Sequence, residues 1–257
     1  MNRSLADSLF PFVLVDAMYL KVREDGRVRS RGIIIAIGVN TEGYREVLGL
    51  MLGDTESEAS WSEFFQLSKR TWITRCGSHY LRRSWRPCTR GTAAAARGKW
   101  QRCQTHFTRN VLEASPKALK DEIHGRLRSI LDAPDTGTAR FLLKQTLAAY
   151  EDNAGKAMGV LESGFDDATA VLMLPERYRK RLRTTNSVER LNEEVRRRER
   201  VIRIFPPNRE SVIRLIGALL MEQDEKWAAG KKYLDMTEYM EWRKDRPKSD
   251  AKVTRIM

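Results

Sequence analysis

A single carboxylate, Asp16, lies in the middle of the apolar run Phe12 to Lys21 (FVLVDAMYLK). The run is short, rich in Val, Leu, Met and Tyr, and opened by Pro11, which predicts a buried strand. A buried charge is costly unless it is paired or coordinates a metal. Two hypotheses therefore stay open for Asp16: a metal ligand, or a structural salt bridge to Lys21, Arg23 or another base.

A second candidate carboxylate is Glu189, in the first turn of a charged helix predicted over 184–200 (TTNSVERLNEEVRRRER). Asn186 stands three residues earlier, so a capping box is one explanation for Glu189. Two or three carboxylates facing one another would instead bind Mg²⁺, which takes few protein ligands and keeps several waters. Two such metals can activate water and stabilise the leaving oxygen of a phosphodiester.

Composition points to a basic protein with a polyanionic partner. Lys and Arg number 47 against 34 Asp and Glu, a net charge of +13 over 257 residues, and nucleic acid is the commonest partner of such a chain. No apolar run approaches the roughly 20 residues that span a bilayer, and no secretory signal opens the chain. We therefore expect a cytoplasmic protein with no membrane partner. An odd number of cysteines (Cys76, Cys88 and Cys103) argues against a disulfide framework.

Turn signals and periodicity predict the elements that must position Asp16 and Glu189. A meander of three antiparallel strands comes first, then an amphipathic helix: 12–21, 31–40 and 44–53, then 54–69. A short strand with a tight exit is predicted at KWQRCQTHF, from Lys99, and mostly helix over 111–174 with a break at Gly164. The apolar helix 211–226 is expected to pack on the sheet, and the chain from Lys231 is expected to be a mobile polar tail.

Residues 70–98 do not fit these surroundings. No Asp or Glu occurs from Phe64 to Leu112, and within 70–98 neither the period of a strand nor that of a helix is present. A basic surface loop is the simplest explanation, although loops of this length are uncommon in compact domains.

Four ordered motifs closely resemble the bacterial transposases of the IS256, or Mutator-like, family: VLVDAMYLKVREDGRV, AIGVNTEGYREVLGL with GDTESEASW behind it, WQRCQTHFTRN, and TTNSVERLNEEVRRR. The resemblance implies an α/β, ribonuclease-H-like mixed sheet with a helical insertion before the helix that carries the catalytic Glu. It also implies DDE chemistry on DNA, with terminal inverted repeats and target DNA as partners and a homo-oligomer as the assembly. Asp16 and Glu189 match the first catalytic Asp and the catalytic Glu, and both would be ligands of Mg²⁺ or Mn²⁺.

The chain departs from the family at the second catalytic Asp. The family places that Asp in an SDxH or SDDH motif, which would lie within 70–98, where Arg82 occupies its slot. The segment has the family length but not its residues, so a pair of compensating frame changes is one hypothesis, and the coding DNA would test it. Arg cannot bind a cation, so this copy is expected not to cleave DNA unaided.

Two further groups of residues have open interpretations. Cys103 and His106 form the CxxH motif of the family, while Cys76 and His79 repeat its spacing, so a four-ligand zinc site is an alternative. Arginines cluster beside Glu189 and are either a solvated face balanced by Glu193, Glu194 and Glu199 or a phosphate clamp. The candidates for DNA binding are Arg190, Arg196, Arg197 and Arg200, with Arg198 and Arg203 nearby.

The expected organisation is a catalytic core begun by 10–106, a helical insertion over 107–180, closing helices over 181–230 and a tail over 231–257. The family carries a DNA-recognition region ahead of this core, and the chain is expected to lack it. The leading function is transposition of an insertion sequence, with this copy inactive or a remnant. The alternatives are a non-catalytic basic fragment that binds nucleic acid or full-length transposase, and a zinc-stabilised binding module.

Overall fold

Strand β1 (Phe12–Glu24) is the central strand of a five-stranded sheet. The computed structural model describes residues 9–53, 60–64, 66, 93–96, 99–202 and 206–244. β1 pairs antiparallel with β2 (Arg27–Val39) along its whole length. Asp25 and Gly26 join them with φ of 50° and 73°, the positive values that a two-residue hairpin turn needs. The predicted hairpin is confirmed, although β2 begins four residues earlier than expected.

The sheet has the order β3-β2-β1-β4-β5, with β3 at Arg45–Gly53, β4 at Ala93–Ala96 and β5 at Lys99–Arg102. All four described pairings are antiparallel, so the parallel neighbours of the expected mixed sheet are not observed among the described strands. Two residues separate β4 from β5, too few for the crossover that a parallel pair requires. Within 70–98, β4 is the described part, and the rest of the segment lies outside the described residues.

Helices follow the sheet, so the chain is of mixed α/β class: α1 (Gln104–Ala114), α2 (Lys120–Leu131), α3 (Thr136–Thr169), α4 (Glu176–Leu182), α5 (Asn186–Ile202), α6 (Arg209–Ala228) and α7 (Thr237–Lys244). Residues 60–64 are also helical, within the helix predicted over 54–69. The two predicted helices on either side of Pro206 are confirmed as α5 and α6. Among the described helices, none combines the length and the apolar character needed to cross a bilayer.

Side chains alternate between the two faces of β1 because the strand period is two. Phe12, Leu14 and Met18 face a core that also holds buried residues of α4, α5, α6 and α7. Val13 and Val15 face the opposite side, where they pack with Trp61 and Phe64. The sheet is therefore covered on both faces, and Asp16 belongs to the face that carries α5.

A separate apolar core joins α1, α2 and α3. The break predicted at Gly164 is wrong, because the non-helical φ/ψ inside α3 belongs to Ala154. Gly164 has a packing role instead: a Cβ there would lie 2.6 Å from the Phe107 ring and 2.8 Å from the Arg102 guanidinium. Glycine at this position lets α3 approach α1 closely.

The polar tail predicted from Lys231 is also wrong for the residues described there. Leu234, Met236 and Tyr239 are buried in the core shared by β1 and α6. The Tyr178 hydroxyl donates to the Asp235 carbonyl at 2.7 Å and accepts from the Tyr239 N–H at 2.8 Å. Residues 233–242 therefore help to close the core on the α5 side of the sheet.

Gly43, in the turn between β2 and β3, holds this closing segment. Its carbonyl accepts from the N–H groups of Tyr233 and Leu234 at 2.8 and 3.1 Å. Its φ is +95°, and a Cβ would lie 1.8 Å from the Leu234 carbonyl oxygen. Only glycine fits both the backbone conformation and the contact.

Gly43→Ala should lower the free energy of unfolding by about 2–3 kcal/mol, because it adds a backbone clash to the strain of a positive φ. Gly26→Ala is the matched control, since Gly26 has φ +73° but no atom of the described residues within 4 Å of its Cβ position, and it should cost only about 1 kcal/mol. Urea denaturation of both variants measures the difference. Equal losses would contradict a close Leu234 contact in solution.

Candidate metal centre

Asp16 is buried, with 6% of its surface exposed. Its Oδ1 accepts from the Ala17 N–H at 2.9 Å, and its Oδ2 accepts from Asn192 Nδ2 at 2.6 Å. No salt bridge to Asp16 is present among the described residues. Lys21 and Arg23 are exposed, because odd-numbered residues of β1 point away from the face that holds Asp16. The salt bridge hypothesised with either base is therefore wrong.

The environment of Asp16 favours its neutral form. Burial raises the pKa of Asp16 to about 7, the Ala17 N–H lowers it, and the charge of Glu189 raises it further. The charge of His106 lowers the pKa of Asp16 only in part, and a buried carboxyl group with no salt bridge among the described residues is costly to ionise. A bound cation would remove that cost, since it would favour the charged form.

Helix α5 brings Glu189 to the same side of the sheet. Val188, Leu191 and Val195 form its buried stripe, and the polar Asn192 lies within that stripe. Since Asn192 donates to Asp16, the first turns of α5 lie against the middle of β1. Glu189, one turn before Asn192, is close enough to Asp16 for their charges to interact.

Sequence reasoning missed Asn192. Its Oδ1 is buried and has no hydrogen-bond partner among the described residues, although buried polar atoms are usually satisfied. A polar residue at i+3 from Glu189, among apolar positions at helical spacing, is the signal that would have identified it. Asn192 Oδ1 lies beside the buried Asp16 carboxyl group, where a cation or an ordered water could supply the interaction that this oxygen lacks.

The capping box hypothesised for Glu189 does not form as expected. The N–H groups of Val188 and Glu189 both bond to the Thr185 carbonyl, at 2.7 and 2.9 Å, which makes Thr185 rather than Asn186 the residue that precedes the helix. The Thr185 hydroxyl donates to Glu189 Oε1 at 3.4 Å. The Glu189 carboxylate is thus half-buried and held at its own helix start.

Cys103 and His106 lie beside Glu189. One ligand atom from each of the three residues can be chosen so that all lie within 4.8 Å of one another. The Gln104 N–H bonds to the Arg183 carbonyl at 2.9 Å, which joins the start of α1 to the segment before α5. A hydrogen bond with Cys103 is the main cause that raises the pKa of His106. Cys76 and His79, the other half of the hypothesised zinc site, lie outside the described residues.

The arginines of α5 fall into two groups. Arg197 binds both oxygens of Glu194 at 2.7 Å, and Arg198 binds the same carboxylate. Arg197 and then Arg198 lower the pKa of Glu194 to about 2. Arg190, Arg196 and Arg200 are exposed and form no salt bridge within the described part of the chain. A balanced face is therefore found at Arg197 and Arg198, and free cationic positions remain elsewhere on α5.

Two overlapping ligand sets result. Asp16, Glu189 and Asn192 offer oxygen atoms, which suit Mg²⁺ or Mn²⁺. Cys103, His106 and Glu189 offer a thiol, an imidazole and a carboxylate, which suit a softer metal. Both sets use Glu189, and both are built where β1, α1 and α5 meet.

The sequence matches a known protein family and individual proteins of that family. The model of the family described as "Transposase, Mutator family" matches residues 1–86 and 88–230. The transposase for insertion sequence element IS256 in transposon Tn4001 of Staphylococcus aureus is 36% identical over 247 residues, covering 91% of this chain and 60% of that protein. The transposase for IS1081 of Mycobacterium tuberculosis is 36% identical over 241 residues, 91% of this chain and 56% of that protein. This chain thus spans about three-fifths of the length of these relatives.

Proposed function

The chain belongs to the Mutator family of transposases, and from that membership we propose that it carries the metal-binding core of a DDE enzyme. The substrates would be the terminal inverted repeats of an insertion sequence and a target DNA. The reaction would be cleavage of a phosphodiester followed by attack of the freed 3′-hydroxyl on target DNA. The observation that carries the proposal is the 2.6 Å bond from Asn192 to Asp16, which supports the pairing of the β1 and α5 carboxylates.

The residues of this centre fit a hard divalent cation. Asp16 is a buried carboxyl group with no base paired to it among the described residues, and Asn192 Oδ1 is a buried acceptor without a donor. Asp16 and Glu189 would hold Mg²⁺ or Mn²⁺, and Asn192 would orient Asp16. The bound metal would activate water and stabilise the leaving oxygen. The chain itself would supply a dry, fixed position for the phosphodiester.

For the fold, we propose a ribonuclease-H-like core begun by 10–106 and closed by 181–230, with 107–180 as a helical insertion. The separate apolar core of α1, α2 and α3 supports an insertion with packing of its own. The third acid is absent in this proposal: Arg82 stands in its slot, outside the described residues. This copy is therefore proposed not to cleave DNA unaided.

DNA would approach along α5. A helix turns 100° per residue, so Arg196 and Arg200 lie within about 20° of the direction of Glu189, at roughly 10 and 16 Å along the axis. Both are exposed, and arginines so placed would contact phosphates on either side of the bond at the metal centre. Arg197, which is paired with Glu194, lies about 80° from Glu189 around the helix axis at the same 100° per residue.

Removing Arg196 and Arg200 should weaken DNA binding and make it less dependent on the salt concentration. For Arg196→Ala/Arg200→Ala we expect the slope of log K against log[salt] to become shallower by about two, since each phosphate contact contributes about 0.9. Arg197→Ala is the matched control on the same helix and should change the slope little. Fluorescence anisotropy with a duplex bearing insertion-sequence ends, at several salt concentrations, gives these slopes.

The same assay separates the proposed function from a non-catalytic basic fragment. Mg²⁺ should tighten binding of the wild-type chain to DNA, and Asp16→Asn should remove that effect, because Asp16 and Glu189 would hold the cation, whose charge would attract a phosphate. Binding that depends on salt but never on Mg²⁺ would support the basic fragment instead. Mg²⁺-dependent nicking that Asp16→Ala abolishes would overturn the proposed inactivity of this copy.

A further inference from the structure

The thiol, imidazole and carboxylate at the start of α1 and α5 form a ligand set that Mg²⁺ chemistry does not require. We propose that Cys103, His106 and Glu189 bind one Zn²⁺ ion, with a fourth position open to water. Three protein ligands of these types and one open position are a known zinc arrangement. The inference goes beyond the proposed transposase function, and the zinc site does not depend on it.

Three observations support a preformed site. Each pair of chosen ligand atoms lies within 4.8 Å, whereas ligands around tetrahedral Zn²⁺ lie about 3.3–3.8 Å apart, so a movement of roughly 1 Å completes the geometry. Cys103 and His106 are three residues apart at the start of α1, on one helical face. Cys103 occupies the N-cap position of α1, and a helix N-terminus favours the negative charge of a thiolate.

Neighbouring groups hold the ligands in place. The Thr185 hydroxyl is buried and lies 3.6 Å from Cys103 Sγ and 3.4 Å from Glu189 Oε1. The bond from Gln104 N–H to the Arg183 carbonyl fixes the two chain segments that carry the ligands. Such outer contacts orient metal ligands and tune their affinity. The site is therefore anchored at its sulfur and at its carboxylate.

The chemistry favours zinc over magnesium. Thiolate and imidazole are ligands of Zn²⁺ and Co²⁺, while Mg²⁺ prefers oxygen and retains its waters. Binding would replace the thiol proton of Cys103 with the metal and release that proton to solvent. Because Glu189 belongs to both ligand sets, Zn²⁺ at this site would compete with Mg²⁺ at Asp16 and Glu189.

Metal titration of the full chain tests the site. Co²⁺ added as a probe should give the absorption band of thiolate-to-cobalt charge transfer, and Zn²⁺ should abolish it at one equivalent. Zn²⁺ affinity, measured against a chromophoric chelator, should fall at least about 100-fold in Cys103→Ser, since a direct ligand matters more than an outer contact. His106→Gln should lower it similarly, and it keeps the buried thiol in case Cys103→Ser folds poorly.

Matched variants separate this site from others. Cys76→Ser and Cys88→Ser should keep the charge-transfer band, and Asp16→Asn should keep Zn²⁺ affinity within about threefold while it abolishes the effect of Mg²⁺ on DNA binding. Loss of the band in Cys76→Ser would overturn the proposal in favour of a four-ligand site. A band that persists in Cys103→Ser, or Zn²⁺ bound no more tightly than Mg²⁺, would also overturn it. Failure of the Mg²⁺ effect alone would count only against the proposed transposase function.

Discussion

Asp16→Asn is expected to stabilise the protein at pH 8 by about 2–4 kcal/mol. The pKa of Asp16 is raised from 3.8 to about 7 in the folded chain, and each unit of difference corresponds to about 1.4 kcal/mol. Between pH 4 and 7 the folded state holds a proton that the unfolded state has lost. The wild-type chain should therefore lose stability as pH rises through this range. An amide has no charge to desolvate, so the variant should lack this loss.

The local hydrogen bonds tolerate the amide. Asn at position 16 keeps one oxygen for the Ala17 N–H, and rotation of the Asn192 amide turns its unsatisfied Oδ1 towards the new NH₂ group. One buried acceptor thereby gains a donor, while Asn192 Nδ2 gives up the acceptor that it has in the wild-type chain. The substitution is therefore expected to relieve the burial of a charge without raising the number of unsatisfied buried atoms.

Urea denaturation at pH 5 and pH 8, with and without Mg²⁺, measures the effect. The wild-type chain should be less stable at pH 8 than at pH 5, and Mg²⁺ should recover part of the difference, whereas Asp16→Asn should respond little to either variable. Glu193→Gln removes an exposed carboxylate of α5, the helix that packs on the Asp16 strand, and serves as the control. A variant less stable than wild type at pH 8 would mean that a cation of the chain neutralises Asp16.

Local signals in the sequence were sufficient for the parts of this site that lie in regular elements. The strand around Asp16, the hairpin at Asp25 and Gly26, and the helix that carries Glu189 all follow from periodicity and turn residues. Burial of Asp16 follows from its even position among Leu14 and Met18, which face the core. These features depend on residues that are neighbours along the chain.

The missed features depend on contacts between distant segments. Asn192 meets Asp16 across 176 residues, and Thr185 meets Cys103 across 82, so no local period predicts either bond. The CxxH spacing identifies Cys103 and His106 as a motif, but their proximity to Glu189 arises from the bonds of Cys103 and Gln104 to Thr185 and Arg183, just before α5. Gly164 was expected to break the helix, but close packing on Phe107 accounts for that glycine, and the non-helical residue of α3 is Ala154 instead.

The segment after Lys231 was mispredicted for a related reason. Its apolar residues are sparse and separated by charges, a composition typical of a tail. In the fold, however, the ring centroid of Tyr239 lies 4.8 Å from the ring centroid of Phe12 and 6.0 Å from that of Tyr178. A few large side chains that pack on the central strand suffice to hold the segment, because each buried aromatic ring removes a large apolar surface from water.

Tyr239→Ala should accordingly lower the free energy of unfolding by about 3–5 kcal/mol, the usual cost of removing a buried aromatic ring. Met240→Ala is the matched control, since Met240 follows on the same helix but is 37% exposed, and it should cost less than about 1 kcal/mol. Chemical denaturation followed by intrinsic fluorescence and by circular dichroism gives both values. Because Tyr239 packs on the strand that carries Asp16, its loss should also weaken the Mg²⁺ effect on DNA binding. Similar, small losses of stability for the two variants would indicate that residues 237–244 do not help to hold the core together.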